Sequence, residues 1–182
     1  MLASLSVLAG GCSGQITDRT PNGHPDGETI KSNLTNAEKK ERARKIKRAA
    51  ADEGLTNAVL LAGIAESETH FAHCWSEATW ACKGPYSSSC NGPVVAGAGD
   101  GPCYQKQGGL GMFQFDGGTY NQTLRRDGRQ VLTLEGNVRH AVDFVAGIVE
   151  DSRYIGGVST RTEAIDWLNE VEVGGRHYSR WI

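Results

Sequence analysis

The sequence lacks several features that would assign it at once to a broad class of protein. None of its apolar runs approaches the ~20 residues that a membrane-spanning helix needs. An excess of one charge is also missing, because 19 Lys and Arg stand against 21 Asp and Glu for a net charge of −2. No basic field therefore points to a nucleic acid or another polyanion as a partner. Internal repeats, clearly alternating strands and a glycine fingerprint for nucleotide binding are absent as well.

Glycine and cysteine are the residues that stand out in the composition. The 182 residues include five cysteines and 24 glycines, so glycine makes up about 13% of the chain against a usual ~7%. Hydrophobic residues account for 38%, and together with glycine they reach the level of ordinary globular proteins. This composition excludes a collagen-like, coiled-coil or disordered chain, and the length predicts one domain.

The first twelve residues, MLASLSVLAGGC, form a short apolar stretch that ends in small residues and Cys12. We interpret residues 1–11 as a lipoprotein signal peptide with a truncated start, since no basic residue precedes the apolar run. Cleavage would leave Cys12 carrying lipid, residues 12–34 as a flexible tether and residues 35–182 as the folded domain. The prediction is a bacterial cell-envelope protein, lipid-anchored in the periplasm or at the outer surface, or secreted. A disordered leader with a chance cysteine is the alternative.

The other four cysteines are crowded into 30 residues; they are Cys74, Cys82, Cys90 and Cys103. An even number of cysteines in an oxidising compartment predicts two disulfides, and all three pairings remain open. A zinc site is the competing interpretation, because His70 and His73 precede the first cysteine. No CxxC pair occurs and the spacing matches no zinc module, so we expect neither a metal nor an organic cofactor.

Helical signals occur in five segments. A capping box from Thr35 to Glu38 opens a charged helix that stops at Gly54. Thr56 is predicted to cap a second helix, NAVLLAGIAES, whose apolar residues on every face predict full burial. Further helices are predicted before Gly128, over 134–151 and over 161–171. We therefore expect a mainly α fold with a disulfide-stapled, glycine-rich insertion over 72–105.

Glu66 is the candidate catalytic acid. It ends the apolar second helix, where we expect a buried carboxyl group with no partner. Burial keeps a carboxylic acid protonated, and such a group can deliver a proton to a leaving oxygen. The alternative is a helix-end side chain that faces solvent or pairs with an arginine. Glu68 points to a different face, and we expect it to be exposed.

The segment GLGMFQFD, residues 109–116, is the second candidate element. Close-set glycines such as Gly111 let the backbone approach a bound substrate, and Gln114 and Asp116 add polar groups at the edge of an apolar floor. We expect Met112 and Phe113 to pack into the core beneath that floor.

Together these segments resemble the lysozyme-like superfamily of goose-type lysozymes and bacterial soluble lytic transglycosylases. Ala65-Glu66-Ser67 is similar to the family's catalytic Glu-Ser, and Gly111-Met112-Phe113-Gln114 to its Gly-Leu-Met-Gln. Asn137-Val138 is similar to the start of its downstream Asn-Ile helix. The match spans about residues 56–150 and implies a lysozyme-like helical domain. Leu168 departs from the family, because a tyrosine is usual at that point.

The resemblance implies an enzyme that cleaves the β-1,4 bond between amino sugars of peptidoglycan or a related polymer, with Glu66 as general acid. Asp116 keeps the spacing of an aspartate in the goose-type enzymes, so it is the candidate base for an inverting hydrolysis. Such a reaction needs a base about 6.5–9.5 Å from the acid. Asp116 could instead form an Asx turn or cap the next helix. Glu77 and Asp100 rank lower as bases.

Two other functions remain open. A lytic transglycosylase would use Glu66 alone, and a catalytically weak lipoprotein would bind wall glycan without cleaving it. The residues expected to contact substrate are Ser67, Gly111, Gln114, Tyr154 and Tyr178; either tyrosine could replace the one missing at Leu168. The expected partner is the glycan, with no nucleic acid, membrane contact only through the lipid anchor, and a monomeric state.

Overall fold

The structure is a computed structural model that describes residues 32–97 and 102–170, with the backbone of 172–173 and 176–177. Its α-helices are α1 (Asn36–Asp52), α2 (Val59–Thr69), α3 (Tyr120–Asp127), α4 (Leu134–Glu150) and α5 (Arg161–Glu170). Two short antiparallel pairs join β1 (Cys82–Ser87) to β2 (Gly92–Ala96) and β3 (Glu172–Val173) to β4 (Arg176–His177). Helices therefore dominate the described part of the chain, as predicted, and the strands were not predicted. Residues 1–11, Cys12, Asp100 and Tyr178 lie outside the described residues.

Helix α1 begins and ends where the sequence predicts. The Thr35 hydroxyl accepts from Glu38 N at 3.3 Å, and Glu38 Oε2 accepts from Thr35 N at 2.7 Å. Gly54 follows with a φ of 89°, a left-handed conformation that glycine tolerates best. The folded part starts slightly before the predicted boundary at residue 35, because Asn33 N donates to Glu77 O at 2.7 Å.

Helix α2 differs from its prediction in two ways. Its N-cap is Ala58 rather than Thr56, and both the backbone N and the hydroxyl of Thr56 donate instead to Asn169 Oδ1 on α5. The helix is also buried along one stripe only, formed by Leu61, Ala65 and Thr69. Because these three residues are four positions apart, they lie along one side of the helix, and the residues between them lie outside the core.

The insertion is a hairpin held by two disulfides. Strand β1 pairs with β2 from Cys82 opposite Ala96 to Ser87 opposite Gly92. The bridges join Cys74 to Cys90 and Cys82 to Cys103, which confirms the two predicted disulfides and decides their pairing. Because all four sulfur atoms are bonded in pairs, they cannot ligate zinc as thiolates, so the zinc alternative is wrong.

Helix α4 lies at the centre of the core and packs against α1, α2 and α5. The apolar residues at helical spacing along α4 are buried; they are Val138, Ala141, Val142, Val145 and Val149. Thr119 caps α3 through a capping box with Gln122, and Gly128 ends that helix as predicted. From α5, Ala164, Ile165 and Leu168 complete the core.

Candidate active site

A tight turn over residues 111–114 forms the base of the candidate site. Leu110 N donates to Phe115 O at 2.9 Å across the turn, and Gln114 Nε2 donates to Gly111 O at 2.7 Å. Gly111 has a φ of 71°, and a Cβ atom there would lie 2.5 Å from Asn137 Nδ2. Glycine is therefore required at this position by both backbone conformation and space.

Buried polar side chains hold the turn from two other helices. Asn137 of α4 is fully buried; its Oδ1 accepts from Phe113 N at 3.1 Å and its Nδ2 donates to Leu110 O at 3.2 Å. Thr69, the last residue of α2, donates from its hydroxyl to Met112 O at 3.0 Å. These bonds join three segments that are far apart in the sequence, so the turn has one fixed orientation.

His73 supports the turn from the side of the hairpin. Its Nδ1 accepts from Met112 N at 3.3 Å, which leaves the proton on Nε2 for the Leu132 carbonyl at 3.0 Å. Burial lowers the pKa of His73 to about 4, against the opposing effect of the Leu132 carbonyl. The neutral imidazole therefore acts as both acceptor and donor inside the core.

A cleft of about 740 Å³ opens beside the turn. Its apolar lining comes from Ile64, Phe113, Phe115, Ala141, Phe144 and Val145. Its polar lining comes from Glu68, Gln114, Asp116, Arg126, Asp127, His140 and Asp143. A cleft that combines apolar side chains with convergent polar groups is typical of a ligand-binding site. As predicted, Met112 and Phe113 are buried in the core beneath it.

Glu66 does not line this cleft. Its side chain is 45% exposed, and Lys39 Nζ lies 3.1 Å from Oε1 and 3.2 Å from Oε2. The prediction of a buried, unpartnered carboxyl group at this position was wrong, because α2 is buried on one side only. Lys39 on α1 is the neutralising partner that the local sequence did not indicate.

Glu68 does line the cleft, on the opposite side of the same helix. Successive helical residues are rotated by about 100°, so Glu68 lies nearly half a turn away from Glu66. It is exposed, as predicted. Within the described residues, no hydrogen bond or ion pair engages its carboxylate.

Asp116 lines the cleft but also forms the local turn. Its Oδ1 accepts from Gly118 N at 2.6 Å, an Asx-turn contact, and its carbonyl accepts from Arg126 Nη1 at 2.7 Å. The predicted Asx turn is therefore present. The alternative that Asp116 caps α3 is wrong, since Thr119 does so.

A cluster at the end of α3 was missed by the sequence analysis. Asp127 has a side chain only 6% exposed, and Arg126 binds its two oxygens at 2.6 and 2.7 Å. His140 of α4 reaches the same carboxylate and packs edge-on against Phe115 with ring centroids 4.4 Å apart. Asp127 and His140 are close in space but 13 residues apart in the sequence, so no motif spacing indicates that they meet.

The remaining predicted residues do not converge on the cleft. Ser67 is exposed beside Glu66 and Glu68. Tyr154 is 81% exposed after α4, where its hydroxyl accepts from Arg153 Nη2 at 2.8 Å. Neither residue lines the cleft. Leu168 is buried in the core of the domain.

Glu77, the lower-ranked base, has a structural role. Arg42 Nη2 lies 2.6 Å from its Oε1, and its Oε2 accepts from the backbone N of His73 and Cys74. Burial opposes ionisation of Glu77, but these contacts, led by Arg42, lower its pKa below the usual value. The carboxylate therefore holds α1 against the hairpin and is not a free base.

A second, larger depression of about 1110 Å³ lies beside α1. Its lining includes Lys45 and Arg48 from α1, Ser88 and Ser89 from the hairpin turn, and Glu135 from α4. It contains neither Glu68 nor the turn over 111–114. Of the residues predicted to be functional, Gln114 and Asp116 line the smaller cleft, Glu77 lines the larger depression, and Glu66 lines neither.

Comparison with protein-family models, curated protein sequences and solved structures finds no match to the chain. No helix among the described residues is long and apolar enough to cross a membrane. The two disulfides are consistent with a secreted or extracellular location. A function must therefore be inferred from the chemistry of the cleft.

Proposed function

We propose that the cleft binds and cleaves the β-1,4 bond between amino sugars of peptidoglycan or a related polymer, in a lysozyme-like domain. One observation carries the proposal. Two of the three segments that resemble the lysozyme-like superfamily, Gly111-Met112-Phe113-Gln114 and the start of α4 at Asn137, meet at one turn through the Asn137–Phe113 hydrogen bond. Helix α2, which carries the third segment, reaches the same turn through the Thr69–Met112 hydrogen bond. A lipid anchor at Cys12 in the bacterial envelope remains part of the proposal.

Within this proposal Glu68 is better placed than Glu66 to act as the general acid. Lys39 engages both carboxylate oxygens of Glu66, and Glu66 does not line the cleft. The order of an acid followed by a hydroxyl residue also occurs twice, as Glu66-Ser67 and as Glu68-Thr69. Only Thr69 contacts the turn, and only Glu68 lines the cleft.

The proposed reaction needs one proton transfer to start. Glu68 delivers its proton to the glycosidic oxygen as the bond from that oxygen to the anomeric carbon breaks. Phe144, more than half exposed at the cleft, offers an apolar face for a sugar ring, and Gln114 also lines the cleft. No metal or organic cofactor takes part in this scheme.

Transglycosylation is the second candidate, and the contacts of Asp116 favour it over hydrolysis with Asp116 as base. The Oδ1 atom of Asp116 already accepts from Gly118 N, which suits a turn residue better than a group that must move a proton. Without a base, the substrate's own acetamido group would assist Glu68. A glycan-binding protein without activity is the rival from another class.

The products of the parent protein test the proposal. Purified protein is incubated with peptidoglycan, and the soluble material is analysed by mass spectrometry. Reducing ends identify a hydrolase, and anhydro-sugars identify a transglycosylase. If no fragment is released while the protein still binds the insoluble wall, the protein is a glycan-binding protein and the proposed activity is wrong.

A further inference from the structure

The cluster of Asp127, Arg126 and His140 forms one wall of the cleft and has no part in the scheme above. The Asp127 carboxylate is nearly buried and is held by Arg126 through two charge-assisted hydrogen bonds. Asp127 in turn raises the pKa of Arg126 through these bonds. Its carboxylate therefore has a fixed position at the cleft wall.

His140 is oriented by this carboxylate and by an aromatic ring. Its Nε2 lies 3.5 Å from Asp127 Oδ1. Its ring meets Phe115 at an interplanar angle of 74°. A carboxylate facing Nε2 favours the tautomer with the proton on that atom.

The other ring nitrogen of His140 is the one left for chemistry. Within the described residues no hydrogen bond engages Nδ1, and the side chain is 25% exposed at the cleft. A neutral imidazole with its proton on Nε2 carries a lone pair on Nδ1. Such a lone pair can accept a proton from a water molecule.

We propose that His140, positioned by Asp127, is the general base that activates water in the glycan cleavage proposed above. The inference rests on that proposed function and makes the reaction a hydrolysis. Glu68 comes from α2 and His140 from α4, so the acid and the base belong to different helices at the cleft. An inverting hydrolysis needs these two groups on opposite faces of the sugar.

Every proton transferred in the proposed hydrolysis has a donor and an acceptor. Water attacks the anomeric carbon and gives one proton to His140 Nδ1, while Glu68 gives its proton to the glycosidic oxygen. The bond from the anomeric carbon to that oxygen breaks, and its electron pair goes to the oxygen. The products are a new reducing end of inverted configuration and a free hydroxyl group. His140 then releases its proton to solvent, and Glu68 regains one.

The charged groups around His140 come from four elements. Arg126 and Asp127 come from α3, Glu68 from α2, Asp116 from the turn and Asp143 from α4 itself. Asp143 is paired with Arg161 at 2.7 Å, and Arg126 is committed to Asp127. Of these groups, Asp127 lies 3.5 Å from His140 Nε2, and Glu68 shares the cleft lining with His140.

The test compares three variants of the full chain with the parent. His140→Gln removes the base with little change in volume, Asp127→Asn removes the charge that positions it, and Arg139→Gln is the matched control. Arg139 precedes His140 on α4, is exposed and does not line the cleft. Each protein is checked for its thermal midpoint and for binding of an N-acetylglucosamine oligomer before rates are measured from pH 4 to 8.

We expect His140→Gln to lose ~10² to 10⁴ in the rate of hydrolysis and to keep oligomer binding within a few-fold. The acidic limb of the parent's kcat/KM profile should vanish in this variant, and it should move in Asp127→Asn. Arg139→Gln should match the parent. Added imidazole should restore part of the activity of His140→Ala. This second variant tests the role of His140 even if His140→Gln folds poorly.

The outcomes separate this inference from the proposed function. If Glu68→Gln is inactive but His140→Gln retains the parental rate and pH profile, the proposed glycan cleavage is supported and His140 is not its base. Anhydro-sugar products from the parent likewise remove the need for a water-activating base and overturn the inference alone. A parent that releases no fragment overturns both.

Discussion

The support beneath the turn over 111–114 and the wall of the cleft above it are built from similar residue types in opposite ways. In the support, Asn137, Thr69 and His73 are buried, and each donates to or accepts from the backbone of the turn or of a neighbouring segment. At the wall, Glu68 and His140 keep polar atoms that no described residue engages. Phe144 is 56% exposed there.

This difference separates residues that stabilise the fold from residues that can act on a ligand. When a buried polar group loses one of its hydrogen-bond partners, the folded protein becomes less stable. Replacing a half-exposed side chain whose polar atom has no protein partner changes the stability of the protein little, because water already satisfies that atom. Substitutions in the support should therefore lower the thermal midpoint, and substitutions at the wall should lower activity or binding.

Reduction of the two disulfides should produce the largest change in stability. Each native bridge in a small secreted domain contributes ~2 to 5 kcal/mol, and this hairpin carries both the Val95 carbonyl that accepts from Gly111 N and the segment next to His73. The free energy of unfolding should be measured by urea titration before and after treatment with a thiol. Thiol titration of the untreated protein is the control, and four free thiols there would contradict the structure.

Asn137→Ala should be the most damaging single substitution in the support. It leaves Phe113 N and the carbonyls of Leu110 and Val131 without their partner, and the free energy of unfolding should fall by ~2 to 5 kcal/mol. Asn137→Asp keeps the acceptor for Phe113 N but places a buried carboxyl group against the carbonyls of Leu110 and Val131, so it should also lower the thermal midpoint. A thermal midpoint of Asn137→Ala equal to that of the parent would refute the proposed role of this side chain.

Acid should weaken the support through His73. Its pKa lies near 4 in the folded protein against 6.5 for an ordinary histidine, so between these values the unfolded chain binds a proton that the folded chain does not. The free energy of unfolding should therefore fall as the pH drops from 6.5 to 4, by about 3 kcal/mol at roughly 1.4 kcal/mol per pH unit. Above pH 6.5 this residue contributes no pH dependence.

Urea titrations between pH 7 and about 5.5 measure the effect of His73 before the carboxylates contribute. The pKa values of Glu77, Glu38 and Glu163 are lowered in the folded protein, so these groups affect stability only as the pH approaches their unfolded value of 4.5. His73→Asn keeps an acceptor for Met112 N and cannot titrate, so its stability should be lower but flat over this range. An equal slope in the parent and in His73→Asn would show that another group is responsible.

Phe144→Ala should have the smallest effect on stability and a visible effect on binding. The ring is more than half exposed at the cleft, so the free energy of unfolding should change by no more than ~0.5 kcal/mol. Loss of an apolar face for a sugar ring should weaken binding of an N-acetylglucosamine oligomer by about 1 kcal/mol, or several-fold in Kd. Calorimetric titration measures this, with Ile148→Ala on the exposed side of α4 as the control.

The helices were predicted well where their ends and buried faces depend on residues close together in the sequence. The capping box at Thr35, the stop at Gly128 and the apolar spacing of α4 all depend on residues within a few positions of each other. The hairpin was missed because its strands contain Gly, Pro and Ser and depend on the two disulfides and on backbone pairing with neighbouring segments.

The site was predicted in part for a similar reason. The segment over 111–114 could be singled out because its need for glycine is visible in the sequence, and the φ of 71° at Gly111 confirms that need. The choice of Glu66 over Glu68 depended on which side of α2 faces the core, and an apolar segment with little periodicity does not reveal that. Asp127 and His140 belong to different helices, so only the packing of α3 against the rest of the domain brings them together.

The central claim is that the cleft beside the turn is catalytic and that Glu68 is its acid. The most direct test is the rate of peptidoglycan cleavage by Glu68→Gln and Glu66→Gln, two substitutions of the same type two residues apart on one helix. Glu68→Gln should lose ~10² to 10⁴ in rate with an unchanged thermal midpoint, and Glu66→Gln should cleave at close to the parental rate. Loss of activity in Glu66→Gln alone, with Glu68→Gln fully active, would contradict the account.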